Sequence, residues 1–386
     1  MFNHALLTEE QKAKYAGFRE FVKTHVEPQA AVWEKQQGIP REIIHTCANA
    51  GLVGGIIPKA YGGGGWDTVT FGLLNEAMGA VSASLCAVFT VQTMVAMPLV
   101  KWGTDDQRTR WLQPLASGEL VASFAMTEPK VGSDIQAVET TFTPKGNAWV
   151  LNGTKKWITM SAIADIFLVF GKWEDKSMAC IVRSDAPGVK VTPLKDLLGF
   201  RAAHLSQIEF ENCEIPQEDI IGKPGFVMQY VAPLGLHFGR ISTAWNGTGL
   251  LRACFETSAA YAAERRQFGM PVMDHGAVRG LITNMGVNME AARYMCLGAV
   301  MAEDAHSPAA IEKTLMAKYF SSRAAVQAAT DTVQVMGAAG CHEENPAASF
   351  YRNAKIMQII EGTDQVLQKV LGNSFCKKFK KPGITK

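Results

Sequence analysis

The hydrophobic spacing of this chain changes period twice, and that constrains the fold more than any other feature. Up to about residue 120 apolar residues recur every three to four positions. From about 121 to 223 they fall in short β-rich runs. From about 224 onward the helical spacing returns. A chain so patterned has a β domain between two helical ones, an α+β arrangement whose junctions are crevices of the kind that bind cofactors.

In the first part, Thr8 precedes Glu9 and Glu10, a helix N-cap followed by acidic residues in the first turn. Tyr15, Phe18, Phe21 and Val22 follow at helical spacing, and the spacing predicts further helices over 40–50, 68–80, 85–102 and 105–116. Tyr61-Gly62-Gly63-Gly64-Gly65 lacks the strand and spacing of a phosphate loop and reads as a turn. The middle part holds Trp149-Val150-Leu151, Ile166-Phe167-Leu168-Val169-Phe170, Ala179-Cys180-Ile181-Val182, Val189-Lys190-Val191 and Gln207-Ile208-Glu209-Phe210. Turn signals at Lys145-Gly146-Asn147 and Asn152-Gly153 predict an antiparallel barrel or sandwich. Long helices are then expected over 240–266, 277–305 and 308–336, with the methionines as core filler.

Several function classes are disfavoured. A net charge of +2 gives no general attraction to nucleic acid or anionic membrane, and the basic run Lys377, Lys378, Lys380, Lys381 reads first as a solvated tail, with a patch for an acidic carrier or a phosphate as the alternative. No membrane span is expected, and the start lacks the apolar core of a secretory signal. The 8 cysteines are scattered without a C-x-x-C pair, as expected of buried thiols in a reducing compartment such as the cytoplasm. There is no H-E-x-x-H, G-x-S-x-G or P-loop, so no metal site is expected.

Three constellations carry chemistry. Phe124-Ala125-Met126-Thr127-Glu128-Pro129-Lys130-Val131-Gly132-Ser133-Asp134 lies where helices give way to strands. Lys156-Trp157-Ile158-Thr159 follows the Asn152-Gly153 turn. Together they offer hydroxyls, backbone donors and an aromatic face, which suit a flat polar heterocycle. The third is Ile359-Ile360-Glu361-Gly362-Thr363-Asp364-Gln365. A carboxylate among apolar neighbours has its charged form disfavoured, which raises its pKa toward that of a useful general base.

With Arg265-Arg266-Gln267-Phe268-Gly269, Gln334-Val335-Met336-Gly337 and Gly340, these motifs resemble the acyl-CoA dehydrogenase family in order and over nearly the whole chain. The resemblance implies an N-terminal helical domain (1–120), a middle antiparallel β domain (121–223) and a C-terminal four-helix bundle (224–386). It implies FAD held by Phe124, Met126, Thr127, Gly132, Ser133, Trp157, Thr159, Arg265, Gln267, Phe268, Gln334, Val335, Gly337, Thr363 and Gln365. The adenosine end would lie near another subunit of a homodimer or homotetramer. It implies that Glu361 removes the α-proton of an acyl thioester while a hydride passes to flavin N5, with Ser133, Arg240 and Gly362 on the substrate side. The thioester would be on coenzyme A or an acyl carrier protein, and electrons would leave to an electron-transfer flavoprotein or similar acceptor.

The sequence departs from the family pattern at Val131, Met160, Gly276, Ala338, Cys341 and Ile360. Arg201-Ala202-Ala203, Arg240-Ile241-Ser242-Thr243-Ala244-Trp245 and Gly249-Leu250-Leu251-Arg252-Ala253-Cys254 are similar to the acyl-carrier-protein dehydrogenases of hydroxymalonyl and methoxymalonyl polyketide extender-unit routes. That branch implies a short oxygenated acyl group. A flavin oxidase or monooxygenase on the same fold, or a scaffold without catalysis, are the competing readings.

Overall fold

A computed structural model describes residues 6–379; Lys380 and Lys381 of the basic run lie outside them. Six helices come first: α1 (Glu9–Phe21), α2 (Ala30–Gln36), α3 (Arg41–Asn49), α4 (Thr68–Gly79), α5 (Ala83–Trp102) and α6 (Asp105–Ala116). The Thr8 cap forms as the sequence requires. Its hydroxyl accepts from Gln11 N at 3.2 Å, and its own N–H donates to the Gln11 side chain at 3.0 Å. The run 61–65 is a turn between α3 and α4. Helix α5 has the length and hydropathy of a membrane span, but 89% of its apolar window is buried inside the protein. It is a core helix, so its apolar character is spent on packing.

Seven strands follow: β1 (Ala122–Ala125), β2 (Thr141–Lys145), β3 (Ala148–Ile158), β4 (Ile166–Trp173), β5 (Lys176–Arg183), β6 (Val189–Pro193) and β7 (Ser206–Pro216). They form one sheet of order β1-β4-β2-β3-β7-β6, with β5 also paired to β4. The expectation of a wholly antiparallel sheet needs correction: β1 runs parallel to β4, and β2 touches β4 in parallel at Thr141–Lys172. Strand β1 enters from the helical layer rather than through a hairpin, so no tight turn imposes antiparallel pairing on it.

The last part holds α7 (Ala232–Glu264), a two-strand hairpin β8 (Arg266–Gln267) and β9 (Met270–Pro271), then α8 (Gly276–Asp304), α9 (Ala310–Met336), α10 (Pro346–Met357) and α11 (Asp364–Lys377). Helix α7 is the axis of the molecule, packing on α4, α5, α8 and α9. It has no single apolar face because it is buried nearly all round from Gly235 to Cys254. The residues that resemble the carrier-protein branch lie largely in this packing. Trp245 is fully buried, Ala202 and Ala203 are core, and a Cβ at Gly249 would stand 2.8 Å from Ala80 N.

Candidate active site

Between α10 and α11 the chain makes a tight turn. Glu361 (φ 55°) and Gly362 (φ 93°) are both left-handed. Glycine adopts this conformation freely; a glutamate pays on the order of 1 kcal/mol for it and needs holding. Two cations hold the carbonyls. Arg240 Nε of α7 donates to Glu361 O at 3.1 Å, and Lys318 Nζ of α9 donates to Gly362 O at 2.8 Å. Thr363 then caps α11 by accepting from Val366 N at 3.3 Å.

The carboxylate lies against α7. A Cβ at Gly239 would stand 2.6 Å from Glu361 Cδ and 2.8 Å from Met94 Sδ, so only glycine leaves the room. One turn earlier, a Cβ at Gly235 would meet Phe124 Cε2 at 2.6 Å. Helix α7 thus approaches α5, β1 and the Glu361 turn along a strip without side chains. Glu361 is half-buried as a residue, but its Oε2 is enclosed and has no hydrogen-bond partner. Burial pushes its pKa up to about 7, against the opposing pull of the Arg240 and Lys318 charges. An enclosed, unpaired carboxylate at that pKa is able to take a proton near neutrality.

The expected flavin loop is pinned from inside by a buried ion pair. Lys155 Nζ meets Glu128 Oε1 at 2.7 Å and also donates to Met126 O at 3.1 Å. Glu128 further accepts from Glu139 N (2.6 Å), Thr140 N (3.0 Å) and Thr140 Oγ1 (2.6 Å). These bonds and Lys155 hold the Glu128 carboxyl below its usual range although burial alone would raise it. Lys156 N donates to Thr127 O at 2.9 Å, and Ser123 Oγ donates to Thr159 O at 2.7 Å, so the two predicted flavin segments are adjacent. Trp157 sits at a register shift of β3 against β7 with φ 64°, which turns its indole outward to 50% exposure. Gly132 and Ser133 are exposed, Thr127 and Thr159 half-buried. The Phe124 and Met126 side chains are buried, with the Phe124 ring 4.7 Å from that of Phe170. An outward aromatic face beside two hydroxyls and a rigid loop is a donor set that fits an isoalloxazine ring.

The remaining predicted residues lie elsewhere. Arg265 ends α7, about 37 Å along the helix from Arg240 by the rise per residue. Phe268 (φ 50°) and Gly269 (φ 82°) form the tip of the β8–β9 hairpin, and Phe268 is 92% exposed. Gln334 and Val335 at the end of α9 share that end of the bundle, where Tyr261 hydroxyl donates to Met336 O at 3.3 Å and Gly337 turns the chain with φ 62°. One copy therefore brings Glu361, Gly362, Thr363 and Arg240 together, and separately gathers Arg265, Gln267, Phe268, Gln334, Val335 and Gly337.

Sequence reasoning missed Lys155, Lys318, Gly235, Gly239 and Met94. Lys155 follows the polar run Asn152-Gly153-Thr154 and Lys318 pairs with a distant backbone carbonyl, so neither stands out by residue type; the others depend on which helix faces which. Among the described residues no group of His, Cys, Asp and Glu could hold a metal ion.

Three family models match the chain in order: acyl-CoA dehydrogenase N-terminal domain over 8–119, middle domain over 123–213 and C-terminal domain over 229–375. An acyl-CoA dehydrogenase of Bacillus subtilis is 32% identical over 373 residues, covering 95% of this chain and 97% of its own. Butyryl-CoA dehydrogenase of Megasphaera elsdenii superposes with a TM-score of 0.92 at 27% identity, covering 97% of this chain and 100% of its own. FkbI, for biosynthesis of the methoxymalonyl extender unit of a polyketide immunosuppressant, superposes at 0.86 with 30% identity, covering 94% and 99%.

Proposed function

The chain belongs to the acyl-CoA dehydrogenase family and is an FAD-dependent oxidoreductase acting on acyl thioesters, and from that premise we propose that Glu361 is its catalytic base. The observation that carries this reading is the enclosed, unpartnered Oε2 with a pKa near 7, on a turn whose carbonyls are both held by cations.

Met126, Thr127, Gly132, Ser133, Trp157 and Thr159 would hold the isoalloxazine side of FAD, with Thr363 and Gln365 near it. Bound FAD supplies the hydride acceptor. Glu361 takes the α-proton, and the apolar wall of Met94, Phe124 and the glycine strip keeps water from competing for the carboxylate. Arg240 fixes the Glu361 backbone, with Gly362 and Ser133 on the substrate side. Arg265, Gln267, Phe268, Gln334, Val335 and Gly337 would serve the adenosine half from a second copy. The distance of Arg265 from Arg240 along α7 and the bare Phe268 ring support a homodimer or a tetramer of dimers.

The substrate reading is a short or oxygenated acyl group, on coenzyme A or a carrier protein, with an electron-transfer flavoprotein as acceptor. Met94 against Glu361 and the similarity to FkbI support it. The 8 free thiols, of which only Cys341 and Cys376 are exposed, support a cytoplasmic setting. The test is anaerobic mixing of the yellow protein with the same short acyl groups on coenzyme A and on a carrier protein. Bleaching of the flavin is expected, faster with one carrier. Absence of bleaching by every thioester would refute the reading, and rapid reoxidation in air with product bound would favour an oxidase.

A further inference from the structure

We propose that Lys318 is a positioning residue for this reaction: by holding the Gly362 carbonyl from behind, it fixes the left-handed turn from which the Glu361 carboxylate enters the site. The inference rests on the reading of Glu361 as the base. Lys318 lies on α9 and is fully buried. A buried ammonium is costly and needs partners. Its Nζ finds Gly362 O at 2.8 Å and Asp364 Oδ1 at 3.9 Å. Asp364, also buried, accepts from Ser322 Oγ at 3.1 Å on α9. Its N–H donates to Gln358 O at 3.1 Å, and Arg323 stands 3.8 Å from its Oδ2.

Lys318, Ser322 and Asp364 therefore staple the start of α11 to α9 at Gly362 and Asp364. The turn cannot rotate without stranding a buried ammonium. Arg240 holds the preceding carbonyl from the other side, so the two consecutive left-handed residues are clamped between α7 and α9. The charged groups acting on Lys318 are Asp364 on α11, Glu361 in the turn and Arg240 on α7, with Arg323 of its own helix beyond Asp364. Burial brings its pKa down to about 8, partly offset by Asp364 and then Glu361. At pH 7 it is therefore charged, and that charge lowers the Glu361 pKa. Removing the charge moves the Glu361 titration to higher pH; removing the donor loosens the turn.

The experiment compares Lys318→Gln, which keeps a donor without the charge, with Lys318→Met, which keeps neither, and Lys318→Arg, which keeps both. The substrate-free readout is the pH titration of the protonated-carboxyl infrared band that disappears in Glu361→Gln. The midpoint is expected to rise by about half a unit or more in Lys318→Gln and Lys318→Met and to return toward the original value in Lys318→Arg. In Lys318→Met, flavin reduction by acyl thioester should also slow by about 10- to 100-fold, as expected for a base displaced by up to an ångström. An unchanged midpoint in Lys318→Gln would overturn the inference, even if Lys318→Met failed to fold. A flavin that no thioester bleaches would instead refute the base reading, leaving the infrared arm to judge Lys318 by itself.

Discussion

Gly239→Ala tests where the carboxylate sits. The added methyl would lie 2.6 Å from Glu361 Cδ and 2.8 Å from Met94 Sδ. Ordinary non-bonded contact is about 3.5–4.0 Å, so each neighbour must give by roughly an ångström or share that movement. Met94 is flexible and will yield part of it. Glu361 sits on a turn held at its own carbonyl and at that of Gly362, so it has to swing its side chain. Overpacking of this kind costs about 1–3 kcal/mol of stability. A base displaced by about 1 Å costs up to about 100-fold in rate. Stopped-flow reduction of the flavin, alongside thermal melts, separates the two effects. The expected result is a 10- to 100-fold slower reduction with FAD still bound and only a modest loss of melting temperature. A reduction rate within twofold of the parent would refute the placement of Glu361 against α7.

Other perturbations address the rest of the site. Glu128→Gln and Lys155→Met each strand one half of a buried pair, at a cost of about 3–5 kcal/mol, and should release FAD, read as loss of bound yellow colour after gel filtration. Phe268→Ala removes a ring that is 92% exposed in one copy; sedimentation should show a weaker oligomer and fluorescence should show weaker FAD retention. Glu361 has a folded pKa near 7, above the unfolded carboxylate value, so the stability linked to it is intact below the unfolded pKa and lost as pH rises through about 7. Glu361→Gln should therefore melt higher than the parent at pH 8, by roughly 1–3 kcal/mol of stability, and about equally at pH 4. The parent's reduction rate should rise with pH through about 7.

Much of the fold was legible because local physics agreed with tertiary need. The Thr8 cap, the apolar repeat of α1 and the β-branched runs of β4 and β5 all sit where their spacing places them. The parallel pairing of β1 with β4 was not legible, since strand direction depends on how a crossover is routed and not on side-chain alternation. Of the site, the Glu361 motif and the Trp157 segment announced themselves by residue type. Lys318 did not, because its partner Gly362 lies 44 residues away and is a backbone carbonyl. Gly239 was hidden for a similar reason: in the sequence it is one of many glycines, and only the approach of Glu361 makes it irreplaceable. Ser242 and Trp245, part of the run that resembles the carrier-protein branch, are core residues of α7, where Ser242 Oγ donates to Asn75 Oδ1 at 2.6 Å.

The most direct test of the account is anaerobic flavin reduction in Glu361→Gln, using whichever acyl thioester bleaches the parent protein fastest. The variant should keep its bound FAD and the parent's absorbance spectrum, and its reduction should slow by about 10²–10⁴-fold, as removal of a general base requires. Bleaching at the parent's rate by a fully FAD-loaded Glu361→Gln protein would contradict the account and assign proton abstraction to another group.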